Sequence, residues 1–94
     1  MYEVWRTKSF HKSLLKLKKS GTNQVAYKKL DFAVNTLAKG DILPVSYKDH
    51  SLQGEFNGCR ECHIKDDLLL VYKIEKENLV FLLMDLDPHS KLFG

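Results

Sequence analysis

Three of the four histidines in this chain lie in its C-terminal half, each beside residues able to share proton chemistry with it. His50 closes Lys48-Asp49-His50. His63 closes Glu61-Cys62-His63, with Asp67 just beyond. His89 begins the run His89-Ser90-Lys91-Leu92-Phe93-Gly94, behind Pro88. Imidazole has an unperturbed pKa near ~6.5, so it gives and takes protons at neutral pH. Three such groups in a small basic protein point to acid–base work on an anionic substrate.

The spacing supports a shared site. Glu61 and His63 are two residues apart, so in a strand both point to one face. His63 and Asp67 flank the turn Ile64-Lys65-Asp66, which brings them together at the end of a hairpin. His50 arrives from a preceding loop and His89 from the segment after the last strand, so separate elements deliver imidazoles and carboxylates to one sheet surface. Metal-free RNA cleavage needs little more: a base for the 2′-hydroxyl proton, an acid for the departing 5′-oxygen, and cations to steady the phosphorane. Lys48 suits a phosphate contact. His11 is the contrasting case, on an amphipathic helix without an acidic or histidine neighbour. Asp66 and Asp67 also suit an ordinary turn.

Cys59-Arg60-Glu61-Cys62-His63 matches the C-x-x-C-H pattern of haem attachment. Haem attachment wants an export signal and a mainly helical surround. The chain offers neither, and on a strand Cys59 and Cys62 face opposite sides. The same geometry argues against zinc held by both cysteines with His50 or His63, and there is no second cysteine pair. No metal or cofactor is expected, and Cys62 reads as a small buried apolar residue.

The elements that position these groups follow from pattern. Ninety-four residues, 44% hydrophobic and 29% charged, make one folded domain over 1–94. The longest apolar stretch, Leu79 to Met84, is six residues, against about 20 for a membrane span. Glu3, Arg6 and Lys8 interrupt any signal-peptide core, so a cytoplasmic address with free thiols is expected. Charge is uneven. Residues 1–48 carry ten Lys/Arg against three acids, a balance of +7, and residues 49–94 carry five against nine, a balance of −4. The N-terminal half is the part that suits a polyanion.

Tyr2 to Arg6 alternates as a strand. Thr7 or Ser9 caps a helix to about Ser20 with Phe10, Leu14 and Leu17 on one face. Lys8, Lys12, Lys16 and Lys19 line another, which as a rule is a solvated face but also suits a phosphate backbone. A second helix runs to about Lys39, closed by Gly40, with a stripe of Ala26 or Tyr27, Leu30, Ala33 or Val34, and Leu37. After a loop over Asp41 to Ser51 come strands at about Gln53–Phe56 and Cys59–Ile64, joined by the hairpin signal Asn57-Gly58. Two nearly continuous apolar strands follow, Leu68–Ile74 and Leu79–Leu86. The order β-α-α-β-β-β-β predicts an α+β domain, a helical hairpin packed on a mainly antiparallel sheet.

Three ordered blocks, Tyr47 to Gly54, Arg60 to Lys73 and His89 to Gly94, resemble the YafQ-type toxins of the RelE/ParE superfamily, the toxin components of bacterial type II toxin–antitoxin modules. The resemblance spans essentially the whole chain and implies a RelE-like fold. It implies a metal-independent endoribonuclease (an mRNA interferase) that cuts messenger RNA in the ribosomal decoding site. His50, His63, Asp67 and His89 would form its acid–base set, with His89 as acid and His50 or His63 as base. Phe93 would position a base by stacking, and Lys48 would contact substrate. Glu61 falls where relatives often carry Asp, in a catalytic or orienting role, and Asp87-Pro88 departs from the usual approach to the last histidine. The implied partners are a cognate antitoxin, the ribosome with its mRNA, and operator DNA through the antitoxin alone. Lys8, Lys12, Lys16 and Lys19 would meet ribosomal RNA or an acidic antitoxin segment. Two alternatives keep the fold: a ParE-like poison of DNA gyrase, a branch generally lacking the histidine set, and a nuclease-dead antitoxin-binding module.

Overall fold

Thr7 and Gly40 set the limits of the helical layer. In the structure, a computed structural model that describes residues 2–19, 24–65 and 68–87, strand β1 (Glu3–Arg6) leads into helix α1 (Lys8–Lys19). Thr7 is the cap: its Oγ1 accepts the Phe10 amide at 3.1 Å and donates to the Met84 carbonyl. Ser9 instead donates to Asp85 Oδ1 at 3.1 Å. Helix α2 (Gln24–Ala38) closes at Gly40, whose φ of +86° is open chiefly to glycine. The Gly40 amide donates to Leu37 at 3.0 Å and the Asp41 amide to Thr36 at 3.1 Å, the paired bonds of a Schellman ending.

Five strands form one sheet in the order β1-β5-β4-β3-β2, with β2 at His50–Ser51, β3 at Arg60–Lys65, β4 at Leu68–Glu75 and β5 at Val80–Asp87. All neighbours are antiparallel except β1 and β5, which run parallel with Glu3 opposite Val80 and Arg6 opposite Leu83. The expected α+β architecture is therefore the observed one. Phe10 and Leu14 of α1, with Leu30, Ala33 and Leu37 of α2, pack against Cys62, Ile64, Leu70, Tyr72, Phe81, Leu83 and Leu86. Alternation turns the intervening residues of β3 to the face away from the helices. A smaller cluster of Leu52, Cys59 and Val71, flanked by Phe56 and Met84, forms separately.

Two local expectations are revised. The strand expected at Gln53–Phe56 is a 3-10 turn at Gly54–Phe56, and β2 is His50–Ser51 alone. Positive φ at Gly54 (72°) and Gly58 (94°) takes the chain out of the extended region, so Asn57-Gly58 turns it within a longer connection rather than a two-residue hairpin. That connection closes where the Leu52 amide donates to the Cys59 carbonyl at 2.9 Å. β1 forms where expected, at one edge of the sheet, and Glu3, Val4, Trp5 and Arg6 are all exposed. In β5 the register shifts between Val71↔Asp85 and Tyr72↔Leu83, which leaves Met84 as an extra residue. That bulge explains why the buried residues of β5 change phase from Phe81 and Leu83 to Leu86.

Candidate functional site

Pro44 and Lys48 deliver the first histidine. From Pro44 (φ −55°, ψ 151°) the chain makes a 3-10 turn over Val45–Tyr47, ending at Lys48 in the left-handed conformation (φ 50°, ψ 42°). A lysine there is uncommon. The turn carries His50 to the sheet edge, where it sits opposite Glu61. The Lys48 carbonyl lies 2.7 Å from His50 Nδ1. A carbonyl can only accept, so Nδ1 carries a proton and Nε2 is the nitrogen left to exchange one.

His50 Nε2 stands 3.4 Å from Glu61 Oε1. The Glu61 residue is 1% exposed, the one charged residue buried among those described, while the His50 side chain is 41% exposed. A carboxylate withdrawn from water needs compensating partners, and His50 Nε2 is one polar group within its reach. His63, two residues along β3, brings its ring centroid to 6.1 Å from that of His50, with the planes 45° apart. The structure thus brings His50, Glu61 and His63 together, Glu61 and His63 by alternation along β3 and His50 by pairing of β2 with β3. Asp67, His89 and Phe93 lie outside the described residues.

These three side chains each offer one donor atom, all within 4.8 Å of one another. Two imidazoles and a carboxylate at that spacing suit a single transition-metal ion. This donor set has no local signature in the sequence, where the cysteines are the visible zinc candidates: His50 and Glu61 lie on different elements and meet through strand pairing. The cysteines behave as expected. Cys59 belongs to the small cluster and Cys62 to the main core. Burial, followed by the nearby Asp49 and Glu61 carboxylates, pushes the Cys62 thiol up to about 12.

Sequence reasoning missed the support behind the histidines. Asp49 Oδ2 accepts the Tyr72 hydroxyl at 2.6 Å, and Oδ1 lies 3.1 Å from Arg60 Nε. Tyr72 is fully buried and meets Phe81 edge-on at 5.5 Å between centroids. Burial raises the Tyr72 pKa above its ordinary value, with its bond to Asp49 acting in the same direction. Burial works against the Arg60 charge, but Asp49 outweighs it and the guanidinium pKa rises. The one sequence signal for Asp49 was its place between two candidates. The Lys8, Lys12, Lys16 and Lys19 side chains are exposed on α1, in the layer on the opposite side of the sheet from Glu61 and His63. Those lysines and the histidines do not form one continuous surface.

Comparison with known proteins bears on family and fold. Residues 2–94 match the family described as "Bacterial toxin of type II toxin-antitoxin system, YafQ". The "mRNA interferase toxin YafQ" of Escherichia coli is 37% identical over 67 residues, covering 70% of this chain and 71% of that protein. A solved structure titled "Crystal structure of metal-bound toxin from Helicobacter pylori" superposes with a TM-score of 0.85 at 42% identity, over 99% of this chain and 100% of that one. Another, "Crystal structure of E.coli DinJ-YafQ complex", gives 0.83 at 26% identity over the full length of both chains. With its fold, its histidine-bearing sheet edge and a match along almost its entire length, the chain belongs to the YafQ family of toxins of bacterial type II toxin–antitoxin systems.

Proposed function

We propose that this protein is an mRNA endonuclease that cuts messages on the ribosome and is held inactive by a cognate antitoxin. The observation that carries this reading is the His50–Glu61–His63 group at a sheet edge in a YafQ-family chain. The related E. coli toxin is named an mRNA interferase, and an E. coli YafQ has been crystallised as a DinJ–YafQ complex. The reaction is an internal transesterification. A base takes the 2′-hydroxyl proton, the 2′-oxygen attacks the adjacent phosphorus, and an acid protonates the departing 5′-oxygen, leaving a 2′,3′-cyclic phosphate and a free 5′-hydroxyl. His50 or His63 serves as base and His89 as acid. Asp67 completes the acid–base set, Phe93 stacks on a base, and Lys48 steadies the phosphate. Glu61 holds the charge of His50. No step requires a metal, and an ion bound by His50, Glu61 and His63 would occupy the nitrogens that move protons.

Ribosome dependence has a physical rationale. His50 is 41% exposed on the edge strand β2, open to an RNA strand whose 2′-oxygen is aligned with phosphorus by whatever presents it. The α1 lysines supply a sequence-independent attraction to RNA phosphates.

The test is induced expression without antitoxin, with 5′-end mapping of transcripts. Discrete cuts that vanish in His50→Ala, His63→Ala and His89→Ala, and that persist with chelator in a reconstituted translation mix, are expected. Growth arrest with intact transcripts and broken DNA would overturn the reading in favour of gyrase poisoning. An absence of arrest would favour a nuclease-dead module.

A further inference from the structure

Asp49 stands between Lys48 and His50, yet its side chain goes the other way. Because side chains alternate along an extended segment, His50 reaches Glu61 while Asp49 reaches Arg60 and Tyr72, which sit directly opposite one another on β3 and β4. The same residues recur in the pairing that follows. Ser51 sits opposite Arg60 and His50 opposite Glu61, and these two pairs are all of β2.

A two-residue edge strand is weakly held by its backbone, and such elements open locally with little cost. Lys48 adds a left-handed conformation that a lysine adopts only under constraint. Its carbonyl must nevertheless hold station, since it fixes Nδ1 of His50 at 2.7 Å. The Asp49 carboxylate supplies the constraint, with one oxygen on a tyrosine buried in the core and the other on an arginine of the neighbouring strand. Tyr72 is 0% exposed and wedged against Phe81, so this anchor does not drift. Both hydrogen bonds are made to an ionised group, the stronger kind.

We propose that Asp49 is a positioning residue: clamped by Tyr72 and Arg60 on the core side of the sheet, it sets the Lys48 carbonyl and thereby the tautomer and aim of His50. The inference rests on the nuclease reading for its kinetic consequence, but not for its effect on the imidazole. In Asp49→Asn the Arg60 pairing is lost. In Tyr72→Phe the anchor into the core is lost, with the carboxylate and the shape of the ring retained.

The experiment uses the full chain and ribosome-bound reporter mRNA under single-turnover conditions, alongside ¹⁵N spectroscopy of the His50 ring, assigned through His50→Ala. Wild type should show the proton at Nδ1. Both variants should lose kcat by about 10- to 100-fold with KM for programmed ribosomes within twofold, as expected for a misaimed group, and should show mixed tautomers at His50. A lower melting temperature with rate and ring spectrum intact would make Asp49 a stability residue only and overturn the proposal. Unchanged rate and spectrum in both variants would do the same. If Asp49→Asn fails to fold, Tyr72→Phe decides by the same readouts. If wild type does not cleave, the nuclease reading fails, while the ring spectra still decide whether Asp49 controls His50.

Discussion

Glu61→Gln removes one charge from a residue that is 1% exposed and faces His50 Nε2 at 3.4 Å. In a medium of effective dielectric ~20, two unit charges at that separation attract by about 5 kcal/mol. Water at the 41% exposed imidazole takes much of this, and a hydrogen bond to a charged group contributes about 1.5–3 kcal/mol after solvation. If that stabilisation is expressed in the transition state, kcat should fall by about 10- to 150-fold, at roughly 1.4 kcal/mol per decade. The assay is single-turnover cleavage of a 5′-labelled message on programmed ribosomes, run on Glu61→Gln, His50→Gln and the double variant. Glutamine keeps the length of the arm, so the fold should persist. A carboxylate acting through His50 has nothing left to act on once the imidazole is gone. The double variant should therefore be no slower than His50→Gln alone. Additive losses, or a Glu61→Gln enzyme with wild-type kcat, would refute the coupling and leave Glu61 with another role.

Thr7→Ala should lower Tm by about 10 °C in thermal denaturation, from the loss of a helix cap and of the bond to the Met84 carbonyl at about 1 kcal/mol each. Alkaline stability should fall as well. Cys62 and Tyr72 have folded pKa values raised above 9.0 and 10.0, so above those values the unfolded chain releases protons that the folded chain keeps. Unfolding free energies from urea titrations should be level below about pH 9 and then drop by about 1.4 kcal/mol per pH unit for each group, with a shallower drop above pH 10 in Tyr72→Phe. With the Cys62 thiol pushed up to about 12, only about one molecule in 10⁴ is thiolate at pH 8. A disulfide reagent should accordingly label Cys62 only after denaturation. Zinc should bind and inhibit reversibly at His50, Glu61 and His63. Calorimetric binding that survives in His63→Ala would place the ion elsewhere.

Helix limits, helix faces and four of the five strands were legible because each has a local cause: a threonine cap, a glycine ending, an apolar stripe, an alternation or an apolar run. The short strand was not. Gln53–Phe56 carries strand-like residues, but Gly54 and Gly58 adopt positive φ, and pairing falls on His50–Ser51, whose composition signals nothing. The bulge at Met84 was equally silent, since the extra residue is apolar in an apolar run. Within the site, Glu61 and His63 could be placed together from alternation alone, and His50 only as an arrival from a loop. Nothing local reported the burial of Glu61. The clamp at Asp49 was illegible for a related reason: its partners, Arg60 and Tyr72, lie on two later strands.

The parallel pairing of β1 with β5 bears on how the molecule is made. Glu3 waits for Val80 and Arg6 for Leu83, so β1 is made well before the strand it pairs with. Strands β3, β4 and β5 pair with near neighbours and can assemble early, whereas closing the sheet at β1 spans nearly the whole chain. The Thr7 bond to Met84, which ties the start of α1 to the bulge, is delayed in the same way. A chain in which β5 has yet to be made therefore holds an unpaired β1 and an untethered first helix, and its assembly completes only once β5 is available.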